Sequence, residues 1–483
     1  MSSDWRMELY WRLPVFLQET ALSVYATYLD RLYYGRGYDE ALREFGELQR
    51  ASRSEAAEWQ DARLRRVVRL AGTRVPFYRN SWRDADWRAV EKTADLTLLP
   101  RLDKQTLRCH ESGFLVEGVE RGSLWLEKTS GTTGTALNIY WPKSMLPQWW
   151  ALVEVAIRRV AGVAQEMPRA MIGGRSIVRG STQAPPFWRF NRRWRQLYLS
   201  SYHVSPSTAP AYVEALCGYG SQWMTGYGSA AAALAQFGLE AGIEAPALRA
   251  VIVSGDTLVA GMRRSIETFF RCRCYDNYGQ SEAVCMTMEC AHGRMHAMPG
   301  AGIIEILRPD GTPCAAGEVG EIVATGLLND AMPLIRYRMG DYAAWAEDQD
   351  CPCGNRQAIL THLEGRLDDY LILRNGRRIG RLSTALKRSS TIHSAQIVQD
   401  SPDHAYLLIR PGADYRARAA ADVRKDLIEK IGRFHLDIVE VPEIPKTPRG
   451  KVALVVRLAA QPELQPVYHR LLARHAEKVE RAA

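Results

Sequence analysis

A chain of 483 residues, 46% hydrophobic and 24% charged, holds enough apolar material for one large domain and a smaller one. It has no run of 18 uncharged apolar residues, no basic-then-apolar leader, and nine cysteines at uneven spacings. The expectation is therefore a cytoplasmic protein without a spanning helix or a secreted disulfide framework. A formal charge of +9 suits polyanionic ligands, nucleotides included, without marking a nucleic-acid binder.

Residues 1–72 carry helical periodicity. Leu13, Phe16, Leu17, Leu22, Val24, Tyr28, Leu29 and Leu32 form a broad apolar face broken by Glu19 and Asp30. That face is expected to pack on the main domain, a membrane-surface helix being the other reading. A second helix over 59–70 ends at Val75-Pro-Phe-Tyr78, because proline disfavours helical conformation in the residue before it. Leu99-Pro100 and Asp103-Lys104 lead into another short helix. Residues 124–127 read as a buried strand running into Lys128-Thr-Ser-Gly-Thr-Thr-Gly134. Hydroxyls and bare N–H groups crowded into one glycine-freed turn suit the oxygens of a phosphate chain. No Gly-Lys-Ser/Thr closes the loop, so it is not a Walker A pattern.

Beyond the loop, a helix is expected over 144–162, a strand at 169–174 and a helix at 207–219. A strand at 223–227, an Ala-rich helix at 229–237 and a strand at 248–253, ending in Ser254-Gly255-Asp256, come next. Cys274-Tyr-Asp-Asn-Tyr-Gly279 is a further strand and turn, and the alternation argues for α/β layering. Residues 187–198 interleave four arginines with aromatics, a texture that could stack bases or grip phosphate; the other reading is a surface segment with its aromatics packed inward.

From 301 the pattern becomes β-rich, with strands at 303–307, 321–325 and 334–337. Past Asp369, a hairpin is expected around Asn375-Gly376, then strands at 395–399, 405–410, 437–441 and 452–457 with a helix over 415–432. The expected fold class is α/β: a large N-terminal α/β domain with a β-rich subdomain (1–368, with 1–72 as a helical extension), and a small mobile α+β C-terminal domain (369–483).

Five passages stand in one order: residues 129–134, Tyr278-Gly-Gln-Ser-Glu282, Tyr337-Arg-Met-Gly-Asp341, Gly365-Arg-Leu-Asp-Asp369 and Pro445-Lys-Thr-Pro-Arg-Gly-Lys451. Together they resemble the core motifs of the adenylate-forming superfamily of acyl-CoA synthetases and adenylation domains, over roughly residues 60–460. Pro333-Leu-Ile-Arg-Tyr337, Cys351-Pro-Cys-Gly354 and the early Val75-Pro-Phe-Tyr78 look like its phenylacetate–CoA ligase branch. Residues 187–191 and 197–205 look closer to CapK-type members.

The resemblance implies an enzyme in which a carboxylate attacks the α-phosphorus of ATP and pyrophosphate leaves, a reaction catalysed by positioning and charge neutralisation. It implies that Thr129, Ser130, Gly131, Thr132, Thr133 and Gly134 hold the leaving phosphates, and that Glu282 holds Mg²⁺. Ser281 is the matching hydroxyl, and Tyr278 with Gly279 offers a face for adenine. Asp341 accepts the ribose hydroxyls and Arg366 supports the ribose. Lys451 bridges carboxylate and α-phosphate, carried by a C-terminal domain that swings at Asp368. Ser254, Gly255 and Asp256 join the nucleotide-binding set, while Tyr227, Gly228 and Ser254 are candidates for the acyl pocket.

Cys290, Cys351 and Cys353, with His296 or His292, supply a soft-ligand set of the kind that holds structural zinc, and the branch implies Cys290, His296, Cys351 and Cys353. The alternative is free thiols in glycine turns. The acyl acceptor is expected to be CoA. Asn375-Gly376 and Gly380 depart from the branch's Gly-Asn-x-Phe-Pro pattern, so an amine or hydroxyl acceptor is the second reading. A non-catalytic nucleotide binder and an RNA binder using the 187–198 arginines are more distant ones; no RNA-binding module is recognisable. The acid and the oligomeric state are not specified by the sequence.

Overall fold

The computed structural model describes residues 5–128, 137–175, 177–179, 182–364, 371–374, 378–379, 382, 391–412, 415–431, 434–446 and 452–480. Four helices come first: α1 (Trp5–Arg12), α2 (Val15–Tyr33), α3 (Tyr38–Arg50) and α4 (Arg53–Arg74). Ser52 caps α4 through a reciprocal bond with Glu55, and Pro76 ends it and starts α5 (Pro76–Ser81). Asp103 accepts from Thr106 N at 2.8 Å and so caps α6 (Lys104–Cys109).

Strands β1 (Trp125–Lys128) and β2 (Asn138–Trp141) pair antiparallel, Lys128 opposite Asn138, so residues 129–136 join the two arms of a hairpin. β1 is not the buried strand expected: its residues are half-exposed or exposed, because among the described residues it pairs only with β2, in a two-stranded sheet apart from the main one. Helix α7 (Met145–Val153) continues as a π-helical turn at Glu154–Arg158, where Arg158 donates to Glu154 at 2.9 Å.

The main body then alternates: β3 (Arg169–Gly173), β4 (Trp188–Asn191), β5 (Gln196–Ser200), α8 (Ala209–Gly218), β6 (Trp223–Gly226), α9 (Gly228–Glu240), β7 (Ala250–Ser254), α10 (Ala260–Phe270) and β8 (Arg273–Gly279). An antiparallel run follows: β9 (Met286–Glu289), β10 (Met295–Ala297), β11 (Gly302–Leu307), β12 (Gly320–Gly326), β13 (Tyr337–Trp345) and β14 (Ile359–Glu364). Among the described residues these strands make one 12-stranded sheet, ordered β11-β12-β13-β14-β10-β9-β8-β7-β6-β3-β5-β4. The β-rich part is thus an extension of the parallel sheet, joined through the antiparallel β8–β9 pair. The strand expected at 334–337 begins only at Tyr337; before it, Arg336 sits at φ 49°, buried, donating to Leu99 O and paired with Glu305.

β8, β7, β6, β3 and β5 are mutually parallel and covered on both faces, which is why β7 reads as an unbroken apolar run. Its Ala250 and Ile252 enter one core cluster, its Val251 and Val253 another.

Helix α2 packs on the main domain as expected, with Leu29 buried and Leu22 and Leu32 packed, but only part of its apolar face turns inward. Gln18, Ala26, Leu29 and Tyr33 are buried, while Phe16, Val24, Tyr25 and Tyr28 are exposed. The polar residues that interrupt the face are the ones that dock it: Glu19 accepts from Phe190 N, Gln18 accepts from Arg189, and Asp30 accepts from Trp194 Nε1 and pairs with Arg193. The 187–198 segment is therefore the β4–β5 edge of the sheet. Arg189 and Arg193 are engaged by α2 rather than offered to a nucleic acid.

Further on, β15 (Leu371–Ile372) and β16 (Arg378–Ile379) pair antiparallel, Leu371 opposite Ile379, on either side of the Asn375-Gly376 passage, which lies outside the described residues. β17 (Ile392–Ser401), β18 (His404–Pro411), β19 (His435–Glu440) and β20 (Val455–Arg457) form a sheet ordered β19-β18-β17-β20, with α11 (Ala417–Ile431) and α12 (Gln465–Glu480) completing the elements. β17 packs on α10: Ser265 Oγ lies 3.2 Å from His393 Nδ1, and Arg410 lies over Phe237 of α9 at 4.4 Å. No helix among the described residues is long and apolar enough to cross a membrane.

Candidate active site

In chain order the strands run from β3 outward to β5, then cross back to β6, β7 and β8 on the other side of β3. Such a reversal leaves a crevice at the carboxyl ends of the strands, the usual ligand site of an open parallel sheet. A cavity of about 510 Å³ lies there, lined among others by Gly173, Leu199, Gly226 and Ser254, the ends of β3, β5, β6 and β7. Gly226 is required: at φ 141°, a Cβ there would stand 1.7 Å from Ile172 O. Tyr198, Tyr202, Tyr227 and Arg175 give the cavity phenol and guanidinium groups. Of the three residues expected around an acyl group, Tyr227 and Ser254 line it. Gly228 instead starts α9.

Asp256, expected with the nucleotide, is held in that same start. Its carboxylate accepts from Gly228 N at 2.8 Å and Ser229 N at 3.0 Å, capping the first turn of α9. Gly255 supplies the turn at φ 81°.

Strand register carries the cavity on to the next cluster. Ser254 pairs with Asn277, so Tyr278 and Gly279 follow at the edge of the crevice. Tyr278 donates its hydroxyl to Asp341 Oδ2 at 2.7 Å. Glu282 and Asp341 are buried, and Tyr337 donates its hydroxyl to Glu282 Oε1 at 3.1 Å. Ser281 stands beside Glu282 in the turn after β8. Ala283 follows at φ 53°, a conformation that costs a non-glycine residue about 1–2 kcal/mol and turns the chain sharply behind the carboxylate. Burial pushes the nearby Cys285 thiol up to about 12, which keeps it protonated at neutral pH. Tyr337 belongs to a motif read in the sequence, but its bond to Glu282 was not foreseen.

A second cluster forms where the β9–β10 turn meets the loop before β14. Cys290, His296, Cys351 and Cys353 bring their ligand atoms within 4.8 Å of one another. Cys290 Sγ is 3.6 Å from Cys351 Sγ, and Cys353 Sγ is 3.4 Å from His296 Nε2. His296 Nδ1 faces Gln357 O at 3.2 Å, which leaves Nε2 as the donor toward the thiols. Burial lowers the His296 pKa and so favours the neutral, ligating ring. His292 contributes only its backbone N–H, to Cys290 Sγ. The donor chemistry fits a tetrahedral thiolate–imidazole metal site.

The segment after β19 reaches the crevice. Lys446 Nζ lies 3.3 Å from Ser201 O, one residue before the cavity-lining Tyr202. Thr129, Ser130, Gly131, Thr132, Thr133 and Gly134, with Arg366, Asp368 and Lys451, lie outside the described residues.

No protein-family model matches the chain. Protein CapK of Staphylococcus aureus is 24% identical over 453 residues, which cover 92% of this chain and 97% of CapK. The phenylacetate-coenzyme A ligase of Thermus thermophilus is 26% identical over 351 residues, 68% of this chain and 74% of the ligase. This chain is similar to CapK and to the phenylacetate-coenzyme A ligases. A solved 2-hydroxyisobutyryl-CoA ligase, in the postadenylation state with R3-HIB-AMP, superposes with a TM-score of 0.64 at 20% identity, over 88% of this chain and 94% of that one. The same ligase in an open conformation with 2-HIB-AMP and CoA gives 0.52 at 21% identity, over 84% and 92%. The likeness assigns to this chain the fold of that CoA ligase.

Proposed function

We propose that this chain activates a carboxylic acid with ATP and then transfers the acyl group to CoA. The observation that carries the reading is the convergence at the carboxyl ends of the parallel strands. The cavity reaches Ser254, whose register partner Asn277 leads directly into Tyr278, paired with Asp341, and on to the buried Glu282, and the C-terminal part touches the cavity's rim through Lys446. The similarity to phenylacetate-coenzyme A ligases, and the R3-HIB-AMP, 2-HIB-AMP and CoA bound in the solved 2-hydroxyisobutyryl-CoA ligase, support it.

In the first step a carboxylate oxygen of the acid bonds to the α-phosphorus and the bond to pyrophosphate breaks. Asp341, oriented by Tyr278, binds the ribose, and the ring of Tyr278 supports the adenine. The 129–134 loop holds the leaving phosphates, and Lys451 neutralises the two anions as they meet. Glu282, with one oxygen fixed by Tyr337, suits Mg²⁺, which supplies charge neutralisation on the phosphates when bound. The acyl group occupies the cavity under Tyr198, Tyr202 and Tyr227. In the second step the CoA sulfur bonds to the acyl carbon and AMP leaves. Residues 369–483 form the lobe that moves between the steps, with Asp368 as hinge.

The Cys290, His296, Cys351 and Cys353 set holds a structural zinc in this reading, tying the β9–β10 turn to the loop before β14. An amine or hydroxyl acceptor is the second reading, favoured by the departure at Asn375-Gly376. Pyrophosphate release from ATP, measured across a panel of carboxylic acids with and without CoA, tests both. Release with no acid in the panel overturns the adenylation reading. Release with acyl-AMP accumulating in the presence of CoA overturns CoA as acceptor.

A further inference from the structure

The C-terminal sheet carries a cluster of histidine and carboxylate groups that neither reaction step uses. β18 and β19 are parallel neighbours in a register that places His404 opposite His435 and Tyr406 opposite Asp437. Residues two apart on a strand share a face, so His404, His435 and Asp437 all project from one side of the sheet. Their ligand atoms lie within 4.8 Å of one another. His404 Nε2 is 3.0 Å from Asp437 Oδ2, and His435 Nε2 is 3.0 Å from Asp437 Oδ1. The two imidazoles stack with centroids 5.2 Å apart.

Behind them, Asp400, near the end of β17, meets the other nitrogen of His404: Oδ1 is 2.8 Å from Nδ1. A carboxylate on the far nitrogen is how proteins fix the tautomer and direction of a metal-ligating histidine. It turns Nε2 of His404 toward Asp437 and His435. The geometry points to a second metal site in this chain, with His404, His435 and Asp437 as ligands and Asp400 as the positioning residue.

The donors choose the metal. Two imidazoles and a carboxylate suit Zn²⁺ and its neighbours Co²⁺, Ni²⁺ and Cu²⁺, whereas Mg²⁺ and Ca²⁺ prefer oxygen alone. Donor atoms 3.0 Å apart can share an ion lying about 2.0–2.2 Å from each, so closing the site needs rotamer adjustment but no movement of the strands. Three protein ligands leave a coordination position to water. Half of the Asp437 side chain and most of the His435 side chain remain accessible, so the ion exchanges directly with solvent. This distinguishes it from the cysteine cluster, which is made of thiols from another part of the molecule.

Cobalt separates the two sites, because thiolate ligands add intense near-ultraviolet charge-transfer bands that a histidine–carboxylate site lacks. The full-length chain, stripped of metal with a chelator and dialysed, is titrated with Co²⁺ alone and, in parallel, with Zn²⁺ alone. Two classes of cobalt site are expected: one with charge-transfer intensity, one with weak visible bands only. His435→Ala and Asp437→Ala should abolish the second class and reduce zinc uptake by one ion per chain. Asp400→Asn keeps all three ligands and should weaken that class about 10- to 100-fold. Far-ultraviolet circular dichroism checks that these surface variants fold. Binding confined to a thiolate-type class, or a second class unchanged in all three variants, overturns the site.

Discussion

Tyr278 donates its hydroxyl to Asp341 Oδ2 at 2.7 Å, joining the end of β8 to the middle of β13. A phenol from the adenine side thus fixes the carboxylate assigned to the ribose. Asp341→Ala removes charge-assisted hydrogen bonds and should raise the KM for ATP by about 10- to 100-fold. Tyr278→Phe keeps the ring and loses only the orienting bond, so a rise of roughly 2- to 10-fold is expected. The KM for the acid should stay put in both. Steady-state pyrophosphate release checks this, and an effect confined to the acid would remove the pair from the nucleotide site.

The cysteine cluster makes a prediction that separates two histidines close together in sequence. His296→Ala and Cys351→Ser should lose the bound zinc, while His292→Ala should keep it, because His292 reaches the cluster only through its backbone N–H. At free zinc near 100 times Kd, binding stabilises the fold by about 2.7 kcal/mol, so chelation should lower the Tm measurably. Elemental analysis of the desalted variants decides between the histidines.

What could be read from the sequence follows the range of the interaction. Glu282 and Asp341 stood out because their motifs are local, yet the bonds that orient them come from Tyr337 and Tyr278, 55 and 63 residues away. No local pattern specifies such partners. The same holds for α2: its periodicity was plain, but which side packs depended on the backbone N–H of Phe190 and on Arg193, a strand edge 171 and 163 residues distant. The C-terminal strands were legible from alternation, and His404, His435 and Asp437 went unremarked because only the parallel register of β18 and β19 brings them together.

Buried His393 provides a pH dependence. Burial, helped by Arg410, depresses its pKa from 6.5 to about 3, so the folded chain keeps it neutral while the unfolded chain protonates it below about 6.5. The unfolded state then binds more protons, and the stability contribution, complete above 6.5, is lost as pH falls toward 3. The slope is about 1.4 kcal/mol per pH unit inside that window. His393→Asn keeps an amide where Nδ1 meets Ser265 and cannot titrate. Urea unfolding between pH 4.5 and 6.5 should show a flatter slope for the variant; parallel slopes would remove His393 as the cause.

Lys451 is the charge assigned to the meeting of carboxylate and α-phosphate. Lys451→Ala should leave ATP affinity nearly intact while slowing adenylate formation by about 10²–10³, the scale of one lost transition-state contact. Single-turnover adenylation at the wild-type rate would end that assignment.

The arrangement of the C-terminal lobe depends on a glycine. A Cβ on Gly261 of α10 would stand 2.0 Å from the carbonyl oxygen of Ile392, the first residue of β17. Both atoms belong to regular elements, so neither can yield alone and Gly261→Ala must shift the whole lobe. Overpacking of this kind costs about 1–3 kcal/mol, and here it falls on the seam where α10 and β17 share one apolar cluster. The bonds from Ser265 to His393 and from Lys446 to Ser201 would weaken with it. If the lobe alternates between two arrangements, the half-reaction that uses this one should slow while the other is spared or accelerated. Adenylation and acyl transfer, measured separately in single-turnover experiments with Gly261→Ala, are therefore expected to change in ratio, with faster hydrogen exchange across 392–401. Equal slowing of both half-reactions would mean that the contact supports stability alone, and lobe alternation would lose this support.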